Sequence, residues 1–304
     1  MSSQLSRRSF LEAGFKAGAL AAVAPLALNA VAKLPQAHAL SAPIGTVIDY
    51  SGGVPDAKAV QAQGHLGAVR YVSEARPDAA SWMKGKPVKI AETKAFAAAG
   101  LEVASVYQFG RASNADWLQG AAGAALHAPQ AIALHSAAGG ATGRPIYVAI
   151  DDNPSREQYD GQIRPYLQAF KSALESAGLK LGVYGNYNTI EWAVQDGLGE
   201  FFWMHDWGSD GRIHPRTTIH QKSGWKETIN GIEVDVNNVY AHDWGQWKPG
   251  YGPSPTPETI PAIPNTDQLS ALLPADLKGV QLPSQQQIND AIALVNQVRG
   301  IASS

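Results

Sequence analysis

Cysteine is absent from this 304-residue chain. That excludes disulfides, thiolate metal sites and anchoring through a lipidated cysteine. A domain without such staples is held by its core, and the length suffices for one large core. Charge is also scarce: Asp, Glu, Lys and Arg make up 16% of the residues and the formal net charge is -2. With no basic run, nucleic acid is not an expected partner. A long uninterrupted apolar run is missing as well. The Ala-rich stretch from Ala17 to Ala32 is broken by Pro25 and Asn29 and closed by Lys33, so no stable membrane anchor is expected. His127 and His135 lie eight apart in an Ala-rich stretch, and His205 beside Asp206 is the one credible ligand pair. No metal and no cofactor are expected from that set.

What is present begins with an address. Ser6-Arg7-Arg8-Ser9-Phe10-Leu11 is a twin-arginine pattern, and Ala37-His38-Ala39 offers a small-x-small cleavage site after the apolar stretch. Residues 1–39 therefore read as a twin-arginine signal peptide, with the twin-arginine translocase as a partner during export. The expected destination is outside the cytoplasm, secreted or associated with the cell wall and surface. Residues 40–251 alternate β-rich and Ala-rich runs. Residues 252–304 differ: Pro253, Pro255, Pro257, Pro261 and Pro264 fall within twelve residues and read as an extended linker. Beyond it, Ile288, Ile292, Val295 and Val298 recur at helical spacing and predict an amphipathic helical tail, docked on its own domain, frayed, or on a partner.

Eight strand candidates fall in the main region: Gly45–Tyr50, Ala68–Ser73, Leu101–Gln108, Pro145–Asp151, Lys180–Tyr184, Phe201–Asp206, Thr217–Gln221 and Ile232–Val236. Helical stretches separate most of them. Two, Ala91–Ala99 and Ser155–Ala177, end at Gly100 and Gly178, where a left-handed C-cap is wanted. Ser155 and Gln158 also read as a capping box. Strands alternating with helices argue for an α/β fold with parallel strands and right-handed crossovers. Eight strands in about 210 residues fit a (β/α) TIM-type barrel, irregular near closure because the last connections are short.

The strand from Pro145 is the most informative. It is apolar throughout, then runs into Asp151-Asp152-Asn153 before Pro154. A barrel gathers its strand ends on one rim, so polar residues at those ends converge although they are far apart in sequence. The others are Asp49; Arg70 and Glu74; Tyr107 and Gln108; Tyr184 and Asn186; Trp203, His205 and Asp206; Gln221; and Asp235 and Asn237. If Asp49, Asp151 and Asp235 all point inward, their mutual repulsion keeps at least one protonated near neutral pH. A pair of carboxyl groups flanking an acetal is the minimum equipment for glycoside hydrolysis. These three are the catalytic candidates, and the remaining rim residues are candidates for substrate binding. Trp207, Trp225, Trp244 and Trp247 add aromatic faces suited to sugar rings. The bland alternative is that two of the acids hold Arg70 or satisfy backbone amides.

The stretch from Asp49-Tyr50-Ser51 to Asp235-Val236-Asn237 resembles the glycoside hydrolase-like domain of exported actinobacterial proteins of mycobacterial type. The matching pieces include Arg70-Tyr71-Val72-Ser73, Tyr147-Val148-Ala149-Ile150-Asp151, Gly182-Val183-Tyr184-Gly185-Asn186 and Gly231-Ile232-Glu233-Val234-Asp235. That domain is similar to family 25 glycoside hydrolases, the lysozyme-type muramidases. The resemblance implies a barrel and a cell-envelope glycan as partner. It also marks a departure. Family 25 enzymes carry Asp-x-Glu at the end of strand four, with the Glu as proton donor; the positions here are Asp151 and Asn153. Asp152, Asp49, Asp206, Glu74 or Asp235 would have to stand in.

Two functions follow as expectations. One is a glycoside hydrolase acting on a cell-envelope polysaccharide through a carboxylate-lined cleft. The other is a catalytically inactive glycan-binding or cell-wall regulatory protein that kept the cleft.

Overall fold

The computed structural model describes residues 40–273 and 283–302; the expected leader lies outside the described residues. Eight strands close into one barrel in sequence order. They are β1 Gly45–Asp49, β2 Gly67–Tyr71, β3 Glu102–Tyr107, β4 Pro145–Ala149, β5 Lys180–Gly185, β6 Phe201–His205, β7 Ile219–Ile229 and β8 Ile232–Val239. Every residue of β4 is buried, as an apolar strand covered on both faces requires. Between the first six strands run α1 Ala57–Ala62, α2 Ile90–Ala98, α3 Gly120–Ala137, α4 Arg156–Gln158 with α5 Arg164–Ser176, and α6 Tyr187–Gln195. Gly100 and Gly178 follow α2 and α5 with φ of 78° and 69°. Ser155 and Gln158 form the reciprocal cap that opens α4.

The strands from β1 to β7 pair in parallel, and β8 is antiparallel to both β7 and β1. This differs from an all-parallel expectation, and the cause is local. Asn230 and Gly231 both have positive φ, 51° and 75°, and only these two residues join β7 to β8. A two-residue connection of that kind closes a hairpin and is too short for a crossover. The reversal has a functional consequence. It is the start of β8, not its end, that stands at the rim where β1 to β7 finish. Asp235 is accordingly the cross-strand partner of Asp49.

Inward-facing residues fill the barrel rather than leaving a pore. Val47, Val69, Ala104, Val106, Tyr147, Tyr184, Phe201, Trp203, Ile219 and Val239 form one buried cluster with Trp244. Burial of each large member contributes about 1.5–3 kcal/mol. A second, outer core joins the strands to the helices.

After the barrel, the chain runs through Pro253 and Pro255, whose carbonyls accept from Thr142 N and Ser136 Oγ at 2.7 and 2.8 Å. Two helices follow, α7 Thr266–Ala271 and α8 Gln285–Ala302. Ile288 and Ala291 of α8 pack with Ala122 and Leu126 of α3, and Val295 and Val298 are also buried, while Ile292 faces out. Among the described residues, no helix is long and apolar enough to cross a membrane.

Candidate active site

Strand parity decides which residues at the rim reach the interior. Val69 and Val106 are inside, so Tyr71 and Gln108, two residues on, face inward as well. The same parity carries Asp49, Asp151, Asn153, Tyr184, Gln221 and Asp235 into one cleft of about 820 Å³. Asp152 also lines it, with Trp207 and Trp82 on opposite loops.

The floor is a chain of oriented amides around Asp49. Trp203 Nε1 donates to Asn237 Oδ1 at 2.9 Å, which turns the Asn237 amide nitrogen onto Asp49 Oδ2, also at 2.9 Å. An indole has no acceptor, so this orientation follows from chemistry. Tyr184 likewise donates to Gln221 Oε1 at 2.5 Å, leaving Gln221 Nε2 to approach Asp49 Oδ2 at 3.3 Å. Both donors land on one oxygen, so the proton of a neutral Asp49 belongs on Oδ1. Burial is the main reason this carboxyl is neutral; Asp235 and Asp151 add repulsion, and together they raise it to about 8 against the pull of Asn237 and Arg70. Burial also raises Asp235, with Glu233 adding to the rise and Lys226 opposing it. Asp151 is raised by burial and by Asp152, and its Oδ2 accepts from Gln108 Nε2 at 2.9 Å. That bond, with Arg111 and Lys86, favours its carboxylate form.

Asn153 is held differently. Asn186 caps α6, its Oδ1 accepting from Thr189 N, and its Nδ2 then donates to Asn153 Oδ1 at 2.7 Å. Asn153 therefore offers its own amide nitrogen to the cleft: a donor, but not an acid. Gly208, at φ 72°, makes room for it, since a Cβ there would stand 2.4 Å from Asn153 Cγ. Gly208→Ala is expected to displace Asn153 and to lower the melting temperature by roughly 2–6 °C, given the positive φ. Thermal melting and glycan affinity check this; an unchanged affinity would remove Asn153 from the binding surface.

Several predicted residues lie elsewhere. Arg70 and Tyr107 alternate with Tyr71 and Gln108, hence face outward. Arg70 is fully buried on Glu92, Tyr50 and Gly85, and Tyr107 donates or accepts with His127 Nδ1 at 2.6 Å. Asp206, also outward, is taken up by His220 Nε2 at 2.6 Å and Ser223 N at 2.8 Å. Glu74 borders a separate hollow with His127 and Gln287 of the tail. Trp203, Asn186 and Asn237 lie beneath the cleft and orient what lines it. His205 is buried under Trp207, stacked at 3.8 Å, and burial lowers it to about 3, so it stays neutral. Sequence reasoning missed Tyr71, which parity alone would have found, and Arg76, Trp82, Lys86 and Arg111, which stand on loops without periodicity. Among the described residues, no three or more His, Cys, Asp or Glu side chains are grouped to hold a metal ion.

Comparison with known proteins identifies relatives of this chain. Residues 58–239 match the family described as "Rv2525c-like, glycoside hydrolase-like domain". The Mycobacterium tuberculosis protein named "Putative peptidoglycan hydrolase Rv2525c" is 46% identical over 224 residues, which cover 73% of this chain and 92% of that protein. The crystal structure of the Mycobacterium tuberculosis Tat-secreted protein Rv2525c in complex with L-tartrate is 48% identical, with a TM-score of 0.64, over 67% of this chain and 98% of that one. A glycosyl hydrolase 25 of Streptococcus pneumoniae matches at 19% identity and a TM-score of 0.45, over 64% of this chain and 87% of that one.

Proposed function

The chain belongs to the Rv2525c-like, glycoside hydrolase-like domain family, and from that premise we propose that it is an exported hydrolase of a cell-envelope glycan, peptidoglycan in the first instance. The observation that carries the reading is the buried Asp49 carboxyl, with Asn237 and Gln221 both on its Oδ2, sharing the floor of one cleft with Asp151 and Asp235. Cleavage of an acetal needs one carboxyl protonated and one ionised at the same pH. Asp49 is suited to give its Oδ1 proton to the departing glycosidic oxygen. Asp151 is raised by burial, but Gln108, Arg111 and Lys86 oppose that rise and stabilise its carboxylate, which is suited to stabilise the positive charge that develops on the sugar or to activate water. Asp235 acts on Asp49 as a repelling neighbour that keeps its proton in place. Trp207, backed by His205, offers a ring face to a sugar.

Export supports the choice of substrate. The related Mycobacterium tuberculosis protein is described as Tat-secreted, and Ser6-Arg7-Arg8-Ser9-Phe10-Leu11 is the corresponding signal in this chain. Residues 1–39 as leader, 40–251 as the catalytic domain and 252–304 as linker and tail complete this proposal. The test is release of reducing ends from purified wall glycan, with Asp151→Asn alongside. Cleavage by the native protein and its loss in the variant are expected; cleavage unchanged by the substitution removes Asp151 from the mechanism.

A second reading rests on Asn153. Its amide, locked by Asn186, supplies a hydrogen-bond donor where family 25 enzymes have an acid. On that reading the cleft binds glycan and does not turn it over. Pull-down on wall glycan without hydrolysis from acid to alkaline pH would favour it.

A further inference from the structure

The charges in the cleft are sorted by side. Asp49, Glu233 and Asp235 stand on the wall built by β1 and β8, whereas Arg76, Lys86 and Arg111 line the wall built by the loops after β2 and β3, with Asp151 and Asp152 next to them at the end of β4. The acidic wall has a cation of its own, because Lys226 Nζ reaches Glu233 Oε1 at 2.6 Å. The cationic wall is poorly matched. Arg76 pairs with the exposed Asp78 at 3.3 Å. Among the described residues, neither Lys86 nor Arg111 has a carboxylate within 4.0 Å.

Lys86 is the most exacting of the three. Its Nζ donates to the Gln108 carbonyl at 2.8 Å and lies 3.9 Å from the centre of the Tyr71 ring. The carbonyl is shared, since Ser73 Oγ also donates to it at 2.6 Å. An ammonium has three protons to place, and one shared oxygen and a ring face do not satisfy them. Burial pushes this ammonium down to about 7; Asp116 and Asp151 pull it up, and Arg76 and Arg70 push it further down. Asp116 and Asp151 act on this half-buried cation only from beyond 4.0 Å, so it has no directly paired anion until a ligand supplies one.

We propose that this wall is a subsite for an anionic substituent, so that the sugar bound beside Asp151 carries a carboxylate paired by Lys86 and Arg111. The inference deepens the glycan reading of the same cleft and rests on it. A carboxylate suits the combination of an ammonium and a planar guanidinium. It would be repelled by Asp235 and Glu233 across the cleft and by Asp151 and Asp152 at the end of β4, so only the side of Lys86 and Arg111 accepts it, and the substituent fixes which way the glycan chain runs. A neutral sugar would leave Lys86 desolvated and unpaired, and that is a penalty built against it.

The experiment is calorimetric titration of the full chain at pH 6 with two tetrasaccharides of equal length. One alternates glucuronate with N-acetylglucosamine; the other is N-acetylglucosamine throughout. The acidic sugar is expected to bind about tenfold tighter or better, the worth of one charge-assisted hydrogen bond, and to lose that advantage as salt rises. Lys86→Met and, separately, Arg111→Gln are each expected to shrink the preference, and Lys171→Met, at a partly exposed position of α5 that does not line the cleft, leaves both affinities unchanged. Arg111 is exposed, so its variant reports even where Lys86→Met folds poorly. Equal binding of the two sugars by the native protein overturns the anionic subsite while leaving the glycan reading intact. Binding of neither sugar overturns the glycan reading itself. A preference that survives in both variants overturns the assignment to this wall.

Discussion

Asp49→Asn is expected to lower release of reducing ends from wall glycan by about 10²–10⁴-fold, the usual weight of a general acid, and at the same time to make the protein more stable at pH 7. The two effects have one cause. Asparagine keeps the oxygen that accepts from Asn237 and Gln221, but it has no proton to give up. The stability gain follows from linkage. The folded carboxyl titrates at about 8 and the unfolded one at 3.8, so between those pH values the folded chain holds a proton that the unfolded chain releases. Stability therefore falls as pH rises from about 4 to about 8 and levels off above. The contribution is fully present below the unfolded value and lost through the folded one. An amide at this position is neutral in both states, so the variant escapes this slope and gains on the order of 4 kcal/mol at pH 7. Near pH 4 the two proteins should melt alike. Melting curves at pH 4, 6 and 8 with parallel behaviour of native and variant would refute the neutral Asp49. Native-level cleavage by the variant would refute its role as acid.

The parts of this arrangement that were legible in the sequence are those governed by local periodicity. The apolar run of β4 and its terminal acids, the glycines after α2 and α5, and the Ser155 cap all follow from short-range rules, and the barrel follows from their order. Asn230-Gly231 carries a signal of the same short-range kind, although the alternation of strands with helices argues for parallel strands around it. It is the hairpin dipeptide that forces β8 to run backwards, and it explains how Asp235 meets Asp49 at the rim although it stands near the start of its strand. Parity along β2, β3 and β6 separates Tyr71, Gln108 and His205 from Arg70, Tyr107 and Asp206, and the polar residues at those strand ends sort correctly only once it is applied. What no local rule reveals is the cationic wall. Arg76, Lys86 and Arg111 lie on connections whose path is set by what they pack against, and nothing in their spacing distinguishes them from solvated surface charges. The seat of α8 on α3 is similar: its apolar face was readable, but its partner depends on Ala122 and Leu126, some 160 residues earlier.

Arg70 shows how a residue of the right type beside the rim serves the fold instead of the ligand, and Arg70→Met is expected to cost about 3–5 kcal/mol of stability. The guanidinium is fully buried. Its Nε donates to Glu92 Oε1 at 2.5 Å, Nη2 to the Gly85 carbonyl at 2.5 Å, and Nη1 to the Tyr50 carbonyl. It also lies over the Tyr50 ring, 3.7 Å from its centre. Removing it leaves the buried Glu92 carboxylate with the Tyr50 hydroxyl, at 2.7 Å, and no cation. It also leaves two carbonyls without donors. For a domain of this size the loss corresponds to roughly 6–20 °C in melting temperature. Because the cost arises from an orphaned charge, removing both partners should recover much of it: Arg70→Met with Glu92→Met replaces a buried pair by apolar volume, a change that is often near neutral. A residue that bound substrate would behave otherwise, since the second substitution could not restore affinity lost by the first. Melting temperatures of the two single variants and the double variant form a cycle whose coupling term measures the pair. A single variant within about 1 kcal/mol of the native protein, or a double variant no better than Arg70→Met, would break the structural account of Arg70.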